Sequence, residues 1–110
     1  MEVFLEGLTL HVNDIERSRD FYARIPGAEL LRYEAGLFAL FRFGDALLGL
    51  LRVGGIGFHV ELATDDLDLL YETLVEAGIE PLGPPKVRPW GERTIELADP
   101  DGHRLQFDER

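Results

Sequence analysis

The stretch from Gly7 to Ile15, which reads Gly-Leu-Thr-Leu-His-Val-Asn-Asp-Ile, determines how the first half of the chain is organised. Its apolar side chains alternate with glycine and polar side chains, and a period of two is typical of a β-strand. The Asn-Asp pair is a favoured helix N-cap, and apolar residues at helical spacing continue to Ile25, before Pro26 and Gly27 end the helix. Three strand-like segments separated by glycine-containing turns complete this half: 28–33, 37–43 and 46–53.

The same order of elements begins again after Gly54 and Gly55. A strand at 58–63 is followed by a helix with its capping residues at 65–78. A short segment at 80–82 and a proline-rich crossing at 84–85 then lead to two strands, 93–98 and 104–108, which a turn joins. The two halves are too few for a solenoid and predict an internally duplicated α+β domain. We expect a single domain over residues 1–110, with modules at about 4–53 and 56–109.

Alternation assigns the side chains of the two leading strands to opposite faces. The apolar faces, which we expect to be buried under the helices, are formed by Leu8, Leu10, Val60 and Leu62. The polar faces, which we expect to line a small-molecule pocket, are formed by Gly7, Thr9, His11, His59 and Glu61.

Composition excludes several classes of function. The formal net charge of -10 argues against nucleic acid as a partner, because phosphate binding requires a basic surface, whereas a cationic ligand would be attracted. The chain has no cysteine, no basic signal segment at its start and no apolar run long enough for a membrane helix, so we expect a cytoplasmic protein without membrane contacts. Asn13 and Gln106 are the only side-chain amides, a scarcity typical of thermophilic proteins.

The motifs of both halves resemble the vicinal oxygen chelate superfamily, which includes glyoxalase I, extradiol dioxygenases, fosfomycin-resistance transferases and bleomycin resistance proteins. Residues 7–18 with 21–22 resemble its first module, 58–62 with 65–67 its second module, and 89–93 with 99–105 its C-terminal hairpin. The resemblance implies two βαβββ modules that form an incompletely closed mixed β-barrel with the helices outside. It also implies a homodimer.

The resemblance further implies a divalent metal that acts as a Lewis acid on a substrate with two adjacent oxygens. The implied ligand positions are Gly7, a position at or near Gly49, His59 and Gln106. Glycine has no side-chain donor, and the amide of Gln106 is a weak neutral one. Only His59 and Gln106 remain as candidate metal ligands, fewer than the three protein ligands of a typical catalytic metal site.

Each candidate residue has a second interpretation. His59 is either a metal ligand or a hydrogen-bonding residue of the pocket, and His11 either replaces a missing ligand or lies at the rim. Glu61 and Glu96 are candidate catalytic residues for proton transfer, or else partners of an arginine. Trp90 and Arg93 either contact the ligand or anchor the hairpin.

Two functions are compatible with these residues, and a third is structural. The first is a small-molecule-binding protein similar to bleomycin resistance proteins, without a complete metal site. The second is a metal-dependent lyase, isomerase or dioxygenase with a non-standard ligand set, in which Glu61 or Glu96 moves the proton. The third is a structural or regulatory subunit whose pocket is not used.

Overall fold

The computed structural model describes residues 1–110, and its order of elements confirms the predicted α+β class and the two βαβββ modules. The elements are β1 (Val3–Val12), α1 (Ile15–Ala23), β2 (Glu29–Glu34), β3 (Phe38–Phe43), β4 (Ala46–Arg52), β5 (Gly57–Thr64), α2 (Leu67–Glu76), β6 (Lys86–Val87), β7 (Arg93–Ala98) and β8 (Arg104–Glu109). Neither helix has the length and apolar character needed to cross a membrane.

The chain divides into two compact units. The first unit, Glu6–Phe58, has the strand order β2-β3-β4-β1, in which β1 runs parallel to β4 and the other pairs are antiparallel. Asp14 caps α1 by accepting a hydrogen bond from the Arg17 backbone N–H at 3.1 Å. The core of this unit consists of Ile15, Ala39, Phe41 and Leu50.

The second unit, His59–Arg110 with Met1–Leu5, has the strand order β5-β8-β7-β6. Here β5 runs parallel to β8 and the other pairs are antiparallel, so the second unit repeats the strand plan of the first. Asp66 caps α2 by accepting from the Leu69 backbone N–H at 3.0 Å. Its core, between α2 and one face of the sheet, consists of Leu67, Leu70, Ile95, Leu97 and Phe107.

Two details differ from the expectations from sequence. Leu10 and Leu62 pack against the two cores, but Leu8 is 39% exposed, so its predicted burial is wrong. The reason is that α1 packs on β3 and β4 and leaves Leu8 on β1 partly uncovered. The strand after α2 is β6, which the sequence pattern does not predict. The short segment 80–82 meets β7 through the Leu82 N–H, which donates to the Glu96 carbonyl at 2.9 Å.

Gly7 marks the closest approach between β1 and β4. It lies opposite Leu47, and a Cβ at this position would be 1.8 Å from the Leu47 carbonyl oxygen. The obstacle is the backbone of Leu47, so a side chain at residue 7 would have to push the two paired strands apart. The position therefore requires glycine for steric reasons.

We predict that Gly7→Ala lowers the free energy of unfolding by about 3 kcal/mol or more, because overpacking against backbone cannot be relieved by a rotamer change. Gly83→Ala is the matched control, since a Cβ there has no neighbour within 4 Å. Urea unfolding followed by circular dichroism measures both. Equal stability of the Gly7 and Gly83 variants would show that the strands separate without cost.

Candidate ligand-binding site

The polar face of the strands in the second unit carries a row of hydrogen-bonding side chains. Gln106 on β8 is paired with Glu61 on β5 and with Glu96 on β7. Residues paired directly across strands point to the same face, and so do residues two apart on one strand. His59 and Asp108 therefore share this face. We call the set of His59, Glu61, Gln106 and Asp108 the β5–β8 cluster.

His59 and Glu61 form the first half of the β5–β8 cluster. The Nε2 atom of His59 lies 2.6 Å from Oε1 of Glu61, and the two side chains are only 14% and 15% exposed. When Glu61 is a carboxylate, Nε2 is the donor in this hydrogen bond. The contact orients the imidazole and gives the half-buried carboxylate the partner that it needs.

Asp108 is the most buried acidic side chain in the β5–β8 cluster, at 3% exposure. Burial is the largest influence on its carboxyl group and, with a hydrogen bond to Glu61, raises the pKa to about 8. Gln106 opposes this effect, because its Nε2–H donates to Oδ1 of Asp108 at 2.9 Å. At neutral pH Asp108 therefore holds a proton, and its O–H is a donor toward Glu61.

Glu96 extends the same face toward β6. Its carboxylate accepts hydrogen bonds from Arg88 and, at 2.6 Å, from NH2 of Arg104. Burial alone would raise the pKa of Glu96, but the hydrogen bonds from Arg104 and Arg88 outweigh it and lower the pKa. Glu96 is thus a weak base, and of the two predicted proton-transfer residues only Glu61 adjoins a histidine.

Two predicted pocket residues lie apart from this face. Arg93 is three residues before Glu96 and therefore points to the helix side, where NH2 bonds Oδ1 of Asp68 at 2.7 Å and NH1 bonds Oε1 of Glu109 at 3.1 Å. It links α2 to β8. Trp90 is 58% exposed, in the loop between β6 and β7.

The turn between β7 and β8 brings the side-chain oxygen and nitrogen atoms of Asp99, Asp101 and His103 within 4.8 Å of one another. They are the one group of three potential metal-ligating side chains at this spacing. Hydrogen bonds within the turn explain it. Asp99 accepts from the backbone N–H groups of Asp101 at 3.0 Å and His103 at 2.7 Å, and its Oδ2 lies 2.8 Å from the His103 ring. His103 is therefore a turn residue.

In the first unit the corresponding face is closely packed. Thr9 is buried and pairs with Gly49, whose Cβ, if present, would be 2.6 Å from the Thr9 hydroxyl oxygen. His11 is half-buried, with Nδ1 3.3 Å from the place of a Cβ on Gly57. Gly49 and Gly57 therefore leave room for the side chains of Thr9 and His11.

The family comparison decides the classification. A model of the glyoxalase/bleomycin resistance protein/dioxygenase superfamily matches residues 5–107. The chain belongs to this superfamily. The comparison with curated protein sequences gave no match.

Solved structures of similar fold include members of the superfamily. A hypothetical protein from Bacillus halodurans C-125 is 18% identical, with a TM-score of 0.83 over 100% of this chain and 96% of that chain. Methylmalonyl-CoA epimerase from Mycobacterium tuberculosis is 18% identical, with a TM-score of 0.82 over 96% and 87%. A superfamily member from Vibrio splendidus 12B01 is 19% identical, with a TM-score of 0.71 over 99% and 98%. At these identities the likeness establishes the glyoxalase-like fold.

The four positions at which the superfamily resemblance implies metal ligands do not fit a divalent metal. Gly7 and Gly49 offer no donor, and the Leu47 carbonyl oxygen and the Thr9 hydroxyl occupy the places where their side chains would begin. His59 is hydrogen-bonded to Glu61, and Gln106 presents a neutral amide whose nitrogen is bonded to Asp108. The donors left are one imidazole and one amide oxygen, fewer than a catalytic metal needs.

The raised pKa of Asp108 predicts a pH dependence of stability. The ordinary value is 3.8, so the folded state binds this proton more tightly than the unfolded state does. The stabilisation is complete below pH 3.8 and is lost as the pH rises toward about 8, by about 1 kcal/mol per pH unit. Asp108→Asn keeps the hydrogen bonds without the titration, so the variant should gain stability relative to the native chain between about pH 5 and pH 8.

Urea unfolding at several pH values measures this difference. Asp45→Asn is the control, since Asp45 is exposed in the turn between β3 and β4. A difference between Asp108→Asn and the native chain that stays constant with pH would contradict the assignment of the proton to Asp108.

Proposed function

We propose that the chain is a small-molecule-binding protein that holds its ligand on the polar face of the second unit and does not use the superfamily's metal. The observation that carries the proposal is the β5–β8 cluster: four hydrogen-bonding side chains, half-buried or buried, on the sheet face that α2 leaves uncovered. Such convergent polar groups orient a ligand and provide specificity. The expected homodimer and the cytoplasmic location remain predictions.

The chemistry of the β5–β8 cluster favours a ligand with both donors and acceptors. His59 and the protonated Asp108 offer N–H and O–H groups, whereas Glu61 and the Gln106 oxygen accept. Because these side chains already form hydrogen bonds with one another, a ligand must replace those bonds with its own. Binding therefore depends on a good geometric match, and removal of one member should cost affinity for the correct ligand only.

A metal-dependent lyase, isomerase or dioxygenase is the second candidate. It is favoured by one observation: His59 and Gln106, two positions at which the resemblance implies metal ligands, lie on the paired strands β5 and β8. In this alternative Glu61 would move the proton. The two candidates differ in whether His59 binds a metal ion or an organic ligand, and this difference can be measured directly.

The binding proposal predicts that a panel of malonate, inorganic phosphate, choline and bleomycin contains a compound that raises the melting temperature of the purified chain. His59→Ala should lower the affinity for that compound by about tenfold, because it removes a hydrogen bond in a half-buried site. His103→Ala is the matched control, since the His103 side chain is 58% exposed in a turn. Isothermal calorimetry measures the affinities. Equal affinity of the His59 and His103 variants would reject the proposed location.

The metal content of the chain after loading distinguishes the binding protein from the metal-dependent enzyme. After loading with nickel, zinc, manganese or iron and dialysis, we expect far less than one metal ion per chain, with no change in His59→Ala. Elemental analysis by mass spectrometry gives the stoichiometry. One bound ion per chain that is lost in His59→Ala and retained in His103→Ala would favour the metal-dependent enzyme.

A further inference from the structure

The second unit contains a cavity of about 170 Å³ at the edge of its sheet, where β6, β7 and β8 meet the segment after α2. Its lining includes the apolar residues Leu82 and Pro84 and the cations Lys86, Arg88 and Arg104. None of these five residues is among the candidates expected from the sequence. We call this space the β6–β8 cavity.

The charge of the β6–β8 cavity is opposite to that of the chain. Three cations and the single carboxylate of Glu96 leave a formal excess of two positive charges, whereas the whole chain has a net charge of -10. Lys86 is also the only lysine in the sequence. A concentration of cations in a concave site raises the local concentration of anions.

Glu96 holds the two guanidinium groups in place. It accepts from Arg88 with one carboxylate oxygen and from Arg104 with the other, and Nε of Arg88 donates to the Thr94 hydroxyl at 2.9 Å. A guanidinium has five N–H donors, so each arginine keeps donors beyond these bonds. The donors are pre-organised, which lowers the entropy cost of binding an anion.

Lys86 adds a charge that the protein itself does not neutralise. No carboxylate lies within ion-pair distance of its ammonium group, although Glu96 already neutralises part of the charge of the arginines beside it. Lys86 lies directly opposite Thr94 in the β6–β7 pair, and both residues line the cavity. An anion in the cavity would give this lysine a partner.

We infer that the β6–β8 cavity binds an anionic group of the ligand, a carboxylate or a phosphate, through Lys86, Arg88 and Arg104. The inference rests on the proposed function and specifies the chemistry of its ligand. Glu96 and Gln106 are paired residues, so the cavity adjoins the β5–β8 cluster on the same sheet face. The ligand then has an anionic end, a short apolar portion against Leu82 and Pro84, and a polar end at His59 and Glu61.

The first test is titration with malonate and with inorganic phosphate, at low ionic strength, by isothermal calorimetry. Lys86→Ala should weaken binding of the preferred anion by about tenfold, and Lys86→Arg should restore most of it. Arg32→Ala, which removes an exposed cation on β2, should leave the affinity unchanged. Choline should not bind at the cavity. Preference for malonate or for phosphate identifies the anionic group as a carboxylate or a phosphate.

The second test uses the single lysine as a reporter. Acylation of Lys86 by an N-hydroxysuccinimide ester, followed at the peptide level so that the amino terminus is counted separately, should slow about tenfold when the preferred anion saturates the site. Choline at the same concentration should have no effect. This readout does not require a variant to fold.

The possible results separate the inference from the proposed function. Binding of a panel compound that depends on His59 but not on Lys86, with no protection of Lys86, overturns the inference and leaves the proposed function. If Lys86→Ala abolishes anion binding and His59→Ala changes no affinity, the anion site is supported and the proposed role of the β5–β8 cluster in ligand binding is rejected. Equal losses in Lys86→Ala and Arg32→Ala indicate unspecific charge effects and overturn the inference.

Discussion

Each unit has a single helix to cover one face of its strands, and this constraint determines where polar side chains can lie. In the second unit α2 covers Ile95, Leu97 and Phe107, so alternation directs Glu96, Gln106 and Asp108 to the other face. Since a half-buried polar group is costly without a partner, these side chains bond one another and their neighbours on β5. The candidate site follows from the pairing of β5, β8 and β7.

Much of the fold could be predicted because its signals are local. Alternation over eight to ten residues identifies β1 and β5, and an acidic cap before each helix fixes where α1 and α2 begin. The strand β6 could not be identified in this way. It has two residues, too few for a period, and its position depends on pairing with β7 after a proline-rich segment.

Alternation along each regular strand assigns candidate site residues to a face of the sheet, whereas it assigns nothing in irregular segments. His59, Glu61, Gln106 and Glu96 share a face by parity, and the same parity places Asp108 beside Gln106 and turns Arg93 away. These two residues could therefore have been assigned from sequence. Lys86 and Arg88 could not, because they come from an irregular segment whose position depends on β7.

The two modules share a scaffold but differ in chemistry, and the backbone explains why. Gly7 and His59 occupy equivalent positions, but at Gly7 the β4 strand comes so close that a Cβ would lie 1.8 Å from a carbonyl oxygen. Placing a metal ligand there would require moving β4, because the obstacle is a paired backbone. At His59 the sheet has room for a side chain, which bonds to Glu61. The first module thus retains the architecture of the superfamily without side chains for a ligand at Gly7 and Gly49, and the second module carries the polar groups that a ligand would meet.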